Sequence, residues 1–205
     1  MRGWRPLSIV SASLALLALL ALLALQAFAG PPASNNLDLV SAARRQVGVT
    51  TLYDGSYQLL EYPGGDVSIQ RGVCTDVVIR ALRSARSLDL QVLVHEDMRA
   101  HFSAYPVLRR WNRREPDANI DHRRVPNLMV YFERAGYRRP VTQSAADYLP
   151  GDIVAWNLGG GVLHIGIVSD RRAVTGVPLV IHNIGSGARE EDILLRYSII
   201  GHYRL

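Results

Sequence analysis

The 205 residues contain no lysine and a single cysteine, Cys74. Without lysine, a phosphate-loop lysine, a Schiff-base lysine and a Ser-Lys dyad are all excluded. The lone thiol has no partner for an internal disulfide. No HExxH and no paired short-range ligand spacing occurs, so metal-dependent hydrolysis through His164, His182 and Asp152 or Asp170 stands only as a third reading. A continuous basic stripe is missing too. Arginine pairs such as Arg44-Arg45, Arg109-Arg110 and Arg123-Arg124 are scattered among acids, with 21 arginines beyond residue 29 (23 less Arg2 and Arg5) against 18 acidic residues. That pattern argues against a nucleic-acid partner and suits contact with an anionic cell envelope.

What is present begins with an export signal. Arg2 and Arg5 precede an apolar run from Leu14 to Leu25, and Ala27-Phe28-Ala29 puts small residues where a signal peptidase reads. Residues 1–29 are expected to be a signal peptide cleaved after Ala29, with an uncleaved inner-membrane anchor as the alternative. The body of the chain is then periplasmic or secreted, and it touches the membrane only through this segment if uncleaved. Removing it leaves 176 residues (205 − 29), enough for one domain with a real core. In an oxidising compartment a lone thiol is a liability unless it is used.

Residues 30–36 read as a linker closing in Asn35-Asn36, a cap for a helix from about Leu37 to Val47. Thr50 to Arg71 is rich in turns and tyrosines. The Gly72 to Ala85 stretch then places Cys74 at the start of a helix whose apolar residues Val77, Val78, Ala81, Leu82 and Ala85 recur at helical spacing. Asp89 to Val94 is ambiguous between a short strand and a connector, and His95 to Asp121 reads as polar and interrupted. A further helix is predicted from Pro126 to Ala135, with Gly136 past its end. The last third predicts strands at Ile153–Trp156, Val162–Val168, Pro178–Asn183 and Ser198–Tyr203. Sequential strands joined by short loops imply an α+β class, with N-terminal helices packed on a C-terminal antiparallel sheet.

Cys74 at a helix start points into unpaired backbone N–H groups, which favour the thiolate and make it a candidate nucleophile. The other reading is a buried free cysteine acting as a small hydrophobe. Two of the six histidines, His164 and His182, lie on strands joined by a short loop and can become cross-strand neighbours. His164 is then placed to take the thiol proton and His182 to orient it, with a thiol pKa expected below the ordinary value.

At these residues the chain resembles the NlpC-type cysteine peptidases, the compact branch of the papain-like fold. The resemblance rests on GVCTDVV, PGDIVAW, HIGIVSD and VIHN, from about Leu37 to Asn183. It is also similar to an uncharacterised group of exported bacterial proteins, a domain of unknown function, through HEDM at His95–Met98, NIDHRRVPNL at Asn119–Leu128 and HNIG at His182–Gly185. The NlpC pattern is Asp-Cys-Ser, whereas here Val73 and Thr75 flank the cysteine and Asp76 follows.

The resemblance implies a papain-like NlpC-type domain over residues 37–205, with an insertion at about 90–139. It carries over Cys74 as nucleophile, His164 as base and His182 as orienting residue, with Asn183 open as a substitute for His182. Tyr62, ahead of Pro63-Gly64-Gly65, matches the tyrosine near the oxyanion site; Asp76 adjoins the nucleophile. His122 and Arg123, within Asp121-His122-Arg123-Arg124, read either as a clamp for a substrate carboxylate or as a solvated ion-pair cluster. The implied activity is thioester-mediated cleavage of amide bonds in peptidoglycan peptides, with no cofactor and no metal. The alternative is a non-catalytic envelope-binding module using the same cleft.

Overall fold

The computed structural model describes residues 36–205, so the leader at 1–29 and most of the 30–36 linker lie outside the described residues. Helix α1 (Leu37–Arg44) buries Leu39, Val40, Ala42 and Ala43, the face that helical spacing predicts. It is one turn shorter than expected. Asn36 makes no side-chain cap; its amide donates to the carbonyl of Leu205 (3.4 Å) and its oxygen accepts from Arg86 (2.7 Å), joining the start of the domain to its last residue. Strands β1 (Leu52–Tyr53) and β2 (Arg71–Gly72) pair in parallel, and Tyr53 lies opposite Gly72. The turn-rich segment between them thereby delivers a tyrosine beside the start of α2 (Cys74–Arg86).

Helix α2 is the central element, buried without interruption from Cys74 to Leu82. Its first turn is held by Asp76, whose carboxylate accepts from the backbone N–H of Val73 at 2.6 Å. The segment from Leu90 corrects the sequence reading: it is a twelve-residue helix, α3 (Leu90–His101). Asp89 caps it by accepting from the Gln91 N–H, and Leu90, Val94 and Met98, spaced four apart, are buried. Four β-branched or leucine residues in Leu90–Val94 mimic a strand, while the spacing that identifies the helix runs on into polar sequence. After α4 (Val107–Trp111) and a 3-10 turn at Asp121–Arg123, helix α5 (Val125–Arg134) carries a proline in its first turn, and Gly136 follows with φ +81°.

Strands β3 (Ile153–Asn157), β4 (Leu163–Arg172), β5 (Pro178–Asn183), β6 (Ala188–Glu191) and β7 (Ser198–Tyr203) form one antiparallel sheet in the order β6-β5-β4-β3-β7. The class is therefore α+β with an antiparallel five-stranded sheet. Its two faces are buried against different layers. Ile153, Ala155, Ile165, Ile167 and Ile181 share a core with α1, α2, α3 and α5; Val154, Trp156, Val168 and Val180 pack under Tyr148, Ile193 and Leu194. Burial on both faces is why β3 reads as an unbroken apolar run. The Trp156 indole N–H donates to the Leu194 carbonyl at 2.9 Å. Strand β6, Ala-Arg-Glu-Glu at the sheet edge, has no apolar alternation to reveal it in the sequence.

Candidate functional site

Cys74, the first residue of α2, lines a cleft of about 480 Å³ together with Val73, Tyr53, Tyr57, Trp111, Arg124 and Leu163, among others. Tyr53 arrives through the β1–β2 pairing, and Trp111 from the end of α4. Arg124 stacks on the Trp111 ring at 4.0 Å while its guanidinium donates to Asp121 at 3.0 Å. The thiol itself is buried, and burial pushes its pKa up to about 12, helped by the nearby carboxylate of Asp76. The backbone amides of Ile165, Thr75 and Cys74 pull the other way but do not prevail. This overturns the expectation of a depressed thiol pKa: the helix start supplies its amides, yet loss of water around sulfur outweighs them.

The two strand histidines do meet. His164 Nε2 and His182 Nδ1 are 3.0 Å apart, with the rings nearly perpendicular and their centroids 5.0 Å apart. Both imidazoles are buried, and Trp156, opposite His164 on β3, packs at 5.9 Å from its ring. Burial, and secondarily the neighbouring His182, push His164 down to about 3, so its resting form is the neutral base. A glycine at 166 makes the close β4–β5 approach possible, since a Cβ there would lie 2.7 Å from Val180 Cγ1 and 3.0 Å from His182 Cβ. No hydrogen bond joins His164 to Cys74. Cys74 and His164 are connected through the backbone instead: the Ile165 amide, next to His164, faces the Cys74 sulfur.

Several residues singled out from the sequence prove to be committed elsewhere. Asn183 donates to the Gly72 carbonyl (2.9 Å) and accepts from the Gly185 N–H (3.2 Å), so His182, not Asn183, contacts His164. Neighbouring strand residues point to opposite faces, and only one of the two can do so. Asp76 and Arg123 form a buried bidentate ion pair, 2.9 Å at each arm, and Arg123 also donates to the carbonyls of Asp54 and Ser56. Arg123 lines the cleft with its guanidinium already paired, so it is neither a free substrate clamp nor a solvated charge; it binds the 3-10 turn to the start of α2. His122 is buried and absent from the cleft lining, and that burial pushes it down to about 4. Tyr62 is corrected as well. Its ring packs edge-on against His95 at 5.4 Å, outside the cleft lining, and the tyrosines that line the cleft with Cys74 are Tyr53 and Tyr57.

The carboxylates considered as metal ligands are likewise engaged. Asp152 accepts from His202 at 2.7 Å and from both arms of Arg204 at 2.6 Å, and Asp170 pairs with Arg44. Among the described residues, no group of three or more His, Cys, Asp and Glu side chains is arranged to hold a metal ion. The sequence reading missed Tyr53, Trp111 and Glu191, whose carboxylate approaches His182 Nε2 at 3.2 Å. Tyr53 was discoverable only from the β1–β2 pairing, and Glu191 only from β6.

The parts assembled here are a thiol facing a cleft, backbone amides at a helix start, and a neutral imidazole pair on adjoining strands. Together they are the kinds of group that acyl transfer to sulfur uses: a nucleophile, oxyanion donors and a base. Comparison with known proteins adds kinship. The uncharacterized protein YijF of Escherichia coli (strain K12) is 55% identical over 172 residues, which cover 84% of this chain and 82% of that protein. The family model described as Domain of unknown function (DUF1287) matches residues 40–205, and the chain belongs to that family.

Proposed function

We propose that this chain is an exported cysteine hydrolase with an NlpC-type, papain-like domain, acting in the periplasm or outside the cell on amide bonds of peptidoglycan peptides. The observation that carries the reading is the conjunction of a cleft-lining Cys74 at the start of α2 with the hydrogen-bonded His164–His182 pair. Both partners rest uncharged, so the thiol proton leaves as the new bond forms. Because His164 Nε2 is taken by His182, the proton goes to His164 Nδ1. Sulfur attacks the carbonyl carbon, amides at the start of α2 stabilise the oxyanion, and His164 returns the proton to the departing amine. Water then hydrolyses the thioester, releasing the acid and restoring the thiol. Purified protein incubated with peptidoglycan sacculi is expected to release cleaved stem peptides, and Cys74→Ala none. Identical product profiles from the two proteins would remove the catalytic assignment.

A second reading is a non-catalytic module that captures an envelope peptide in the same cleft. The raised thiol pKa and the missing Cys74–His164 hydrogen bond favour it. It predicts that Cys74→Ser binds wall peptides as tightly as the wild type and that neither protein cleaves them.

A further inference from the structure

The ring of His182 is completely buried on β5, and its two nitrogens face different neighbours. Nδ1 meets His164 Nε2 at 3.0 Å. Nε2 lies 3.2 Å from Oε2 of Glu191 on β6, off the line of a hydrogen bond, and no other group satisfies it. The other oxygen of Glu191 is 3.7 Å from Arg189, the residue opposite His182 in the β5–β6 register. The charged or titratable groups acting on His182 are thus His164, Glu191 and Arg189. The Glu191 side chain is 37% exposed, whereas the imidazole is fully buried.

We propose that Glu191 is a positioning residue that selects the tautomer of the His164–His182 pair. A carboxylate accepts only, so Glu191 requires a proton on His182 Nε2. That leaves His182 Nδ1 with its lone pair, able to accept from a proton on His164 Nε2. His164 Nδ1 is then unprotonated and free to act as a base. Without the carboxylate the order can reverse. His182 then carries its proton on Nδ1 and donates to His164 Nε2, and the His164 proton moves to Nδ1, where a thiol proton would otherwise go. One carboxylate on an edge strand thereby decides whether the pair is competent.

The catalytic meaning rests on the hydrolase reading above, whereas the tautomer assignment does not. Two measurements on the full chain keep them apart. In protein labelled with 15N-histidine, ring-nitrogen shifts distinguish protonated from unprotonated nitrogens, with His164→Gln and His182→Gln supplying the assignments. The wild type is expected to show both rings protonated on Nε2. Glu191→Ala is expected to move both toward Nδ1 protonation, with Glu191→Gln, which keeps an acceptor oxygen, nearer to wild type. Tautomers identical in wild type and Glu191→Ala would overturn the proposal; if Glu191→Ala does not fold, tautomers identical in wild type and Glu191→Leu, a larger side chain that also lacks an acceptor, would do the same. The second measurement is peptide release from sacculi, in which Glu191→Ala is expected to lower kcat at least about tenfold with KM little changed. A wild type that releases nothing would defeat the hydrolase reading and leave the tautomer result to stand or fall by itself.

Discussion

Two opposed influences act on the sulfur of Cys74. Amides at a helix start stabilise negative charge, while burial and the Asp76 carboxylate disfavour it, and burial is the largest of the effects. The outcome is a thiol that stays protonated through neutrality and ionises only near pH 12. Alkylation by iodoacetamide is therefore expected to be slow at pH 7 and to rise about tenfold per pH unit, without a plateau below pH 9. A plateau at or below neutrality would mean a preformed thiolate and refute this ordering of forces. The position of Cys74 was legible from a single apolar helix pattern, because a helix start is a local event. Its ionisation was not, because it depends on the distance to water and on Ile165, 91 residues away in the chain (165 − 74). Tyr53 and Tyr62 make the same point. The resemblance to the NlpC-type peptidases favoured Tyr62, yet pairing of two-residue strands brings Tyr53 to the cleft, and a pairing that short leaves no signature.

At the scale of elements, the histidine pair exists because β4 and β5 approach closely at Gly166. An alanine there would meet Val180 Cγ1 at 2.7 Å and the Ile181 carbonyl at 3.0 Å, and the backbone oxygen has little freedom to withdraw. Gly166→Ala is expected to cost about 1–3 kcal/mol, read from urea unfolding, by forcing the two strands apart. A variant as stable as wild type would show that the contact is slack. The strands themselves were readable: Pro178–Asn183 and Ser198–Tyr203 occur with the predicted boundaries, since apolar runs between turn residues constrain a strand locally. Helix α3 was not, because Leu90–Val94 satisfies either period and only Met98, amid polar neighbours, decides between them. Strand β6 escaped because a polar edge strand is specified by its partner rather than by its own residues. With β6 went Glu191, so the candidate catalytic set was read as Cys74, His164 and His182, where the sheet brings Glu191 alongside His182.

Across the whole molecule the burial of histidines sets a response to acid. His164 and His122 are pushed down to about 3 and about 4 by burial, and His182 is lowered as well, burial outweighing Glu191. In the unfolded chain each titrates near its ordinary value of 6.5. Between those values the unfolded state binds more protons than the folded one, so stability rises with pH there and is lost as pH falls. The stabilisation is complete above 6.5 and declines toward pH 4, by up to about 1.4 kcal/mol per pH unit for each histidine. The carboxylates held low by arginines, Asp97, Asp170 and Glu190 among them, act later, below about pH 4, as their ion pairs are protonated. Asp121, raised by burial, opposes this at a single site. Two stages of acid destabilisation are therefore expected, the first ahead of any carboxylate. His122 is the histidine of choice for the test because it lies outside the cleft. Urea midpoints measured from pH 7.5 to 4.5 should fall steadily in the wild type, with a shallower fall in His122→Gln. Midpoints level to pH 4.5 would mean that these imidazoles accept protons while the protein stays folded, and that burial does not govern them.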